Sequence, residues 1–438
     1  MQQKSKLALV CLSLFAAAEA RAAGFALHEQ GASGLGNAYA GAAAVAEDAT
    51  TVWWNPAGMA RLSPGKHLSF GAALIDPSWE FHNGASQPTG TGQPLGNEGG
   101  NAGSTELVPS LFYAMDLAPR WNFGLAITVP FGLETKYDPN WIGRFQGINS
   151  KVQTVNINPA VSYKVSDSWS IGGGISYQYG KIDLLTAANY TAIAAGLGIG
   201  PTPGAEGQNS TSVDGSAWGF NVGTLFNVTP ATRVGVHYRS SLKYDLDGNT
   251  SFSNLPPTAL AVVLGPGANV KTSLRTPDSF AFSGVHELSQ RVALLADATW
   301  TRWSRIKQAP LTVTSGALNG ATLDTLVFDF HDTWRFSAGV NYALSGTTVL
   351  KAGVAYDKNP VPNADTRSVR LPDSDRYWLS VGAGFKVTPA DKIDVGYSYV
   401  KPKDADINNN QLATGKGLVN GTYNASINVF GVQYQHTF

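Results

Sequence analysis

The stretch TWRFSAGVNYALSGTTVLKAGVAYD, residues 333–357, reads as two strands joined by a tight turn at Ser345-Gly346. In its first half Trp334, Phe336, Ala338, Val340 and Tyr342 alternate with Arg335, Ser337, Gly339 and Asn341. Successive strand residues point to opposite faces, so this is a strand with one apolar and one polar side. In a soluble sandwich the apolar side packs on a second sheet; in a membrane barrel it meets lipid.

The same alternation recurs along the chain. It is clear in Trp121, Phe123, Leu125, Ile127 and Val129, in Trp169, Ile171, Ile175 and Tyr177, and in Ile393, Val395, Tyr397 and Tyr399. Val234, Val236 and Tyr238 likewise face away from Arg233, Gly235, His237 and Arg239. The pattern predicts fourteen strands: 66–76, 105–116, 120–131, 149–165, 168–183, 212–228, 231–245, 272–288, 291–303, 330–344, 347–357, 376–388, 392–402 and 424–438. Tight turns such as Ala118-Pro119, Ser166-Asp167 and Thr229-Pro230 alternate with long loops rich in Gly, Asn, Ser, Thr and Pro, the habit of bacterial barrels. Trp121, Trp169, Trp300, Trp334 and Trp378 stand near strand ends, where amphipathic rings favour the membrane interface.

Nothing after residue 22 offers eighteen consecutive apolar residues, so a membrane-embedded chain must be a closed barrel. The expected fold is therefore an all-β transmembrane antiparallel barrel of about 14 strands, residues 65–438. Its last strand ends on Tyr434, His436 and Phe438, which resembles the C-terminal signal of outer-membrane barrels and implies engagement of the barrel assembly machinery through Phe438. On that strand Ile427 and Val429 fall on the inward face, an apolar feature foreign to a water-filled porin.

Before the barrel, Lys4 and Lys6 precede an apolar run from Leu7 to Ala18 that ends in Ala20-Arg21-Ala22. This is the pattern of a cleaved secretory signal peptide, residues 1–22, and too short for a spanning helix of about 20 apolar residues. Residues 23–64 lack strand alternation and are rich in Gly and Ala, which makes them a candidate hatch plugging the barrel interior.

Composition excludes several classes. The formal net charge is zero and only 14% of residues are charged, so no basic surface invites nucleic acid. The single cysteine, Cys11, lies in the signal segment. The seven histidines show no H-E-x-x-H pairing, no Walker A pattern occurs, and Gly31, Gly34, Gly36 and Gly41 do not fit a dinucleotide fingerprint. The reading is of a non-enzyme with no metal and no cofactor.

Several motifs together resemble the FadL-type long-chain fatty-acid transport family. They are Ala23-Gly24-Phe25, Gly34-Leu35-Gly36 and Asn55-Pro56-Ala57, then PFGLETKYDPNWIGR from Pro130, WGFNVG from Trp218, YRSSLKYDLDGN from Tyr238, and NPVPNADTRSVRLPDSDRYWLSVG from Asn359. The resemblance implies a fourteen-stranded monomeric barrel with an N-terminal hatch, an apolar groove among the loops, and a tighter apolar site beside the hatch. It also implies lateral release through a wall gap at a third-strand kink, here Val129-Pro130-Phe131-Gly132. Phe25 matches the aromatic residue at the internal site, and Asn55, Pro56 and Ala57 form the hatch motif. The basic residues that hold a carboxylate in fatty-acid-specific members fall on Leu184 and Val327, leaving Arg335 and Lys307 as substitutes. The implied partners are a long-chain fatty acid or another hydrophobic small molecule, with outer-membrane lipid and lipopolysaccharide around the wall. A monoaromatic hydrocarbon channel and a general porin are the alternatives. Among the loops, Leu260, Val262, Val263 and Leu264 form either part of an entry groove or a loop-packing patch.

Overall fold

The computed structural model describes residues 24–200 and 202–438, so the signal-peptide expectation lies outside the described residues. The wall is built from β1 (Lys66–Asn83), β2 (Glu106–Ala118), β3 (Trp121–Thr128), β4 (Gly132–Lys136), β5 (Asn149–Lys164), β6 (Trp169–Asn189) and β7 (Glu206–Thr229). It continues with β8 (Thr232–Arg239), β9 (Lys243–Ser253), β10 (Ala268–Arg275), β11 (Ser279–Glu287), β12 (Val292–Thr301), β13 (Gln308–Val313) and β14 (Thr322–Val327). The remainder are β15 (Thr333–Ala343), β16 (Thr348–Asp357), β17 (Arg376–Lys386), β18 (Asp391–Pro402), β19 (Ala405–Gln411) and β20 (Gly417–Thr437).

These segments make fourteen antiparallel passes, because β3 with β4, β8 with β9, β10 with β11, β12 with β13 and β14 with β15 each form one interrupted pass, and β19 continues β18. The sheet closes where β1 pairs with β20, from His67↔Thr437 to Asn83↔Gly421. Closure joins the first and last strands, as lipid demands of a spanning sheet.

The alternation read from the sequence separates the two faces of the wall. On β15, Trp334, Phe336 and Tyr342 are exposed outward, while Arg335, Ser337 and Asn341 are buried inward. On β20, Phe430, Val432 and Tyr434 face out, the terminal Phe438 is exposed just beyond it, and Ile427 and Val429 are fully buried inside with Ile75, Trp79, Phe81, Trp141 and Tyr423.

Three differences from the sequence reading share one cause. β1 runs to Asn83 instead of residue 76, β7 begins at Glu206 instead of 212, and β20 begins at Gly417 instead of 424. Beyond the lipid a strand no longer needs an apolar outer face, so its period-two signal fades while its ladder continues. The segments expected at 231–245 and 272–288 are each broken, at Ser240–Leu242 and Thr276–Asp278. The breaks are stitched to one another, Leu242 N–H donating to Thr276 Oγ1 (3.0 Å) and Thr276 N–H to the Leu242 carbonyl (2.9 Å). The patch at 259–264 is a short helix whose Leu260 and Leu264 pack on Tyr190 and Ala194 of a neighbouring loop, while Val262 is exposed.

Candidate functional site

Residues 24–62 lie inside the barrel, an irregular stretch followed by short helical turns at Leu35–Asn37, Ala42–Val45, Thr51–Trp54 and Pro56–Arg61. At their centre, Asn55 adopts an extended backbone and its Oδ1 accepts from Ala57 N–H (3.1 Å), capping the turn Pro56–Arg61. Pro56 suits the first position of that turn, where its missing N–H would have no partner. The Asn55 amide donates to the Ala43 carbonyl (2.8 Å) within the hatch and to the Thr224 carbonyl (3.0 Å) on β7. Ser170 of β6 donates to the Ala57 carbonyl (2.8 Å). The wall meets these turns with glycines. A Cβ at Gly172 would strike Ala57, at Gly223 the Asn55 side chain, at Gly235 the Ala43 carbonyl, at Gly353 Asn37, at Gly382 Gly36, and at Gly431 Ala32.

The first hatch residues pair with the interrupted third pass. β3 ends at Thr128 and β4 resumes at Gly132, with Pro130, which has no ladder donor, between them. Leu27 N–H donates to the Pro130 carbonyl (2.9 Å), Gly132 N–H donates to the Phe25 carbonyl (2.9 Å), and Ala26 bridges Phe131. Gln30 satisfies both polar groups of Val129: its amide donates to the Val129 carbonyl and its Oε1 accepts from Val129 N–H (3.1 Å). On the far side, the β2–β3 ladder stops at Leu111↔Ile127, although β2 stays paired with β1 down to Glu106. The wall ladder therefore ends beside the kink.

Next to the kink the lumen holds a cavity of about 120 Å³. The hatch contributes Ala26, Leu27, Trp53 and Trp54, the kink contributes Pro130 and Phe131, and the charged lining residues are Arg239, Arg335 and Asp297. Phe25 sits in the adjoining apolar cluster, its ring 5.6 Å from Phe131 and 5.2 Å from Trp303. Arg335 donates to the Ala38 carbonyl (2.9 Å) and lies 5.2 Å from the Trp378 ring. Lys307 is elsewhere: it is exposed and paired with Asp329 at 2.9 Å. Leu184 is buried, and Val327 lines a vestibule of about 740 Å³ among the outer loops, together with Phe252, Phe328, Arg370 and Lys416. Arg239 was not singled out from the sequence, yet its inward position on the seventh pass was available from the alternation at Val234–Tyr238.

Glu29 is fully buried in the hatch. Burial pushes its carboxyl up to about 7, against the opposing pull of the Glu29 backbone N–H, of Arg376 and Arg335, and of the His28 backbone N–H.

The family described as "Outer membrane protein transport protein (OMPP1/FadL/TodX)" matches residues 13–438. The chain belongs to this family. Among its relatives, the long-chain fatty acid transport protein of Escherichia coli O6:H1 is 31% identical, over 91% of this chain and 92% of its own length. A FadL homologue of Pseudomonas aeruginosa has a similar structure, with a TM-score of 0.87 at 27% identity, covering 95% of this chain and all of its own. The toluene transporter TbuX of Ralstonia pickettii shares the fold, with a TM-score of 0.67 at 19% identity over 93% of this chain and 98% of its own. As a member of this family the chain is an outer-membrane transport protein of β-barrel fold.

Proposed function

We propose that this protein takes up hydrophobic compounds by facilitated diffusion, long-chain fatty acids first among them. The ligand lodges beside the hatch formed by residues 23–64 and leaves sideways at Pro130, Phe131 and Gly132. The observation that carries this reading is the shared lining of the lumenal cavity: hatch residues Ala26, Leu27 and Trp53 and kink residues Pro130 and Phe131 face the same space. A ligand there touches both the element that must move and the place where the ladder stops. The fatty-acid name of the E. coli relative supports the substrate.

Burial of each methylene contributes about 0.8 kcal/mol, so a long acyl chain gains on the order of 10 kcal/mol before ordering costs. Binding then needs no energy input, but release needs a state in which the site is spoiled. A hatch whose two positions bind ligand differently supplies one. In this reading Phe25 and Arg335 border the ligand, and Lys307 serves at most near the loops because of its place outside the cavity. The reading also has residues 1–22 removed on export and the barrel acting as a monomer in lipid and lipopolysaccharide, inserted through Phe438.

A second reading, monoaromatic uptake, is favoured by size: a cavity of about 150 Å³ with apolar walls accommodates benzene, and this one is near that volume. Uptake and competitive binding of oleate and toluene, in cells lacking their own transporter, separate the two. Asn55→Ala removes three hatch hydrogen bonds and should cut oleate uptake at least fivefold. Uptake of toluene alone would overturn the fatty-acid reading, and free passage of small polar solutes with neither ligand would make the protein a porin.

A further inference from the structure

At the long-loop end of the wall, three exposed lysines continue the outward faces of β16 and β18. Lys358 follows Val354 and Tyr356 at the period of two, and Lys401 and Lys403 follow Tyr399. Val354 and Tyr399 lie in the exposed apolar band, as does Leu379 of β17 between them. Tyr377 of β17 pairs across the two ladders with Tyr356 and with Lys401. The rings of Tyr356 and Tyr377 stand 5.3 Å apart, with the Lys403 ammonium 5.9 Å and 5.8 Å from their centroids.

The carboxylate in reach is Asp375, 3.3 Å from Lys403 Nζ, and it is already engaged. It accepts from the Tyr356 hydroxyl (2.8 Å) and from the Asn359 side-chain amide (2.8 Å). Asp404 and Asp406 come next along the chain, with Asp406 bonded to Thr422. Among the described residues no carboxylate lies within ion-pair distance of Lys358 or Lys401. Lys401 spends one donor on the Ala425 carbonyl (2.9 Å), in the gap between the β18–β20 ladder, which stops at Val400↔Ile427, and the β19–β20 ladder, which starts at Ala405↔Tyr423. Elsewhere on the outward face lysines are neutralised within the wall, Lys181 by Asp183 (2.9 Å) and Lys243 by Asp245 (3.1 Å), and the outer half of β1 carries exposed Asp76 and Glu80.

We infer that this face of β16, β17 and β18 is a binding site for the phosphorylated glycolipid of the outer leaflet, lipopolysaccharide. Its phosphates sit on Lys358, Lys401 and Lys403, and its acyl chains lie along Val354, Leu379 and Tyr399. The site is on the outside of the barrel and does not depend on which ligand crosses the lumen. Lysine stems run along apolar surface and lift the ammonium to headgroup level, so unpaired lysines just past a lipid-facing band present their donors where an anionic headgroup lies. Clusters of such residues at a membrane boundary read charged lipids, and phosphate forms strong charge-assisted bonds with them. The long loops put this boundary on the outer face of the membrane. Lys358 and the β18 lysines are separated by two strand spacings, roughly 10 Å. One phosphate cannot span that gap, whereas a headgroup carrying two phosphates on a pair of sugars can. The tyrosines between the lysines offer hydroxyls and ring faces to the sugars.

The test titrates the full-length mature protein in detergent with bis-phosphorylated lipid A, its dephosphorylated form and phosphatidylglycerol, and counts bound lipid by native mass spectrometry. The native protein should prefer bis-phosphorylated lipid A over the other two by about fivefold or more. Replacing all three lysines together, Lys358→Gln, Lys401→Gln and Lys403→Gln, should erase the preference, and the matching triple Lys→Arg variant should retain it. Heat-modified gel mobility checks that each variant is a folded barrel, and the Arg variant keeps the test informative if the Gln variant does not fold. Lys181→Gln with Lys243→Gln, which lowers the outward charge at another part of the wall, should leave the preference in place. Equal binding of phosphatidylglycerol by the native protein overturns the proposal, because the patch would then be an ordinary contact with anionic lipid. An unchanged preference in the triple Gln variant overturns it, and so does an equal loss in the Lys181 and Lys243 variant, which would assign the effect to overall charge.

Discussion

At the scale of single residues, Glu29 makes the hatch sensitive to pH. It is fully buried, its carboxyl raised by that burial to about 7, with Arg335, Arg376, His28 and Tyr39 as its titratable or charged surroundings. When the segment lifts out, Glu29 returns to an ordinary carboxylate value near 4.5. Between those two values the seated hatch binds more proton than the lifted one, so seating weakens as pH rises through this window and is strongest below it. Hydrogen exchange across residues 25–31, corrected for intrinsic rates, should be faster at pH 8 than at pH 5. Glu29→Gln, neutral at every pH, should flatten the dependence and keep the slow, acid-side rate. A native protein whose corrected exchange is the same at both values would show that the Glu29 carboxyl titrates alike in the two states.

At the scale of elements, the third pass and the hatch segment complete each other. Without Gln30, the N–H and carbonyl of Val129 would be buried beside Pro130 with no ladder partner, and a buried unpaired polar group costs about 1–3 kcal/mol. Gln30→Leu should therefore free residues 25–30 from the kink and raise their exchange at least tenfold, while the barrel's heat-modified mobility on gels stays native. Unchanged exchange would mean that the Leu27 and Phe25 backbone bonds suffice. The alternation alone ran on through residues 120–131, and the interruption at Pro130 and Gly132 was expected only from the family resemblance, with proline's missing donor and glycine's freedom as its local reasons. The strands were legible wherever they cross lipid, because only there does every second side chain have to be apolar. Their outer extensions, such as residues 77–83 and 206–211, carry no such demand and were read as loop. Gln30 could not be found from the sequence: it lies in a segment with no period, and its role depends on a partner ninety-nine positions away. Arg239 was legible as inward-facing, but that it shares a cavity with Arg335 and Asp297 emerges only from the side chains gathered there from several strands.

At the scale of the whole molecule, the hatch is held by fit to the wall as much as by hydrogen bonds. It touches the glycines of β6, β7, β8, β16, β17 and β20 backbone to backbone or nearly so, a level at which the wall has given up side chains and the hatch fills their place. Such a plug depends on close approach all round, and one bulky side chain on the wall should tilt it. Gly235→Val is the cleanest case: a Cβ there collides with the Ala43 carbonyl, while valine is well suited to a strand and leaves the ladders of β8 with β7 and β11 intact. The barrel should fold and insert normally, so any change in permeability reports the plug. In planar bilayers the native protein should show little steady ion conductance, and Gly235→Val should open flickering channels several-fold more conductive, with oleate uptake reduced because the cavity lining formed by Trp53 and Ala43 is displaced. If conductance rises and oleate uptake is undiminished, ligand passage does not need the seated hatch, and the lateral route at Pro130 would have to work without its pairing segment. If neither changes, the wall tolerates the side chain by local shift, and the tight glycine contacts do not determine where the hatch sits.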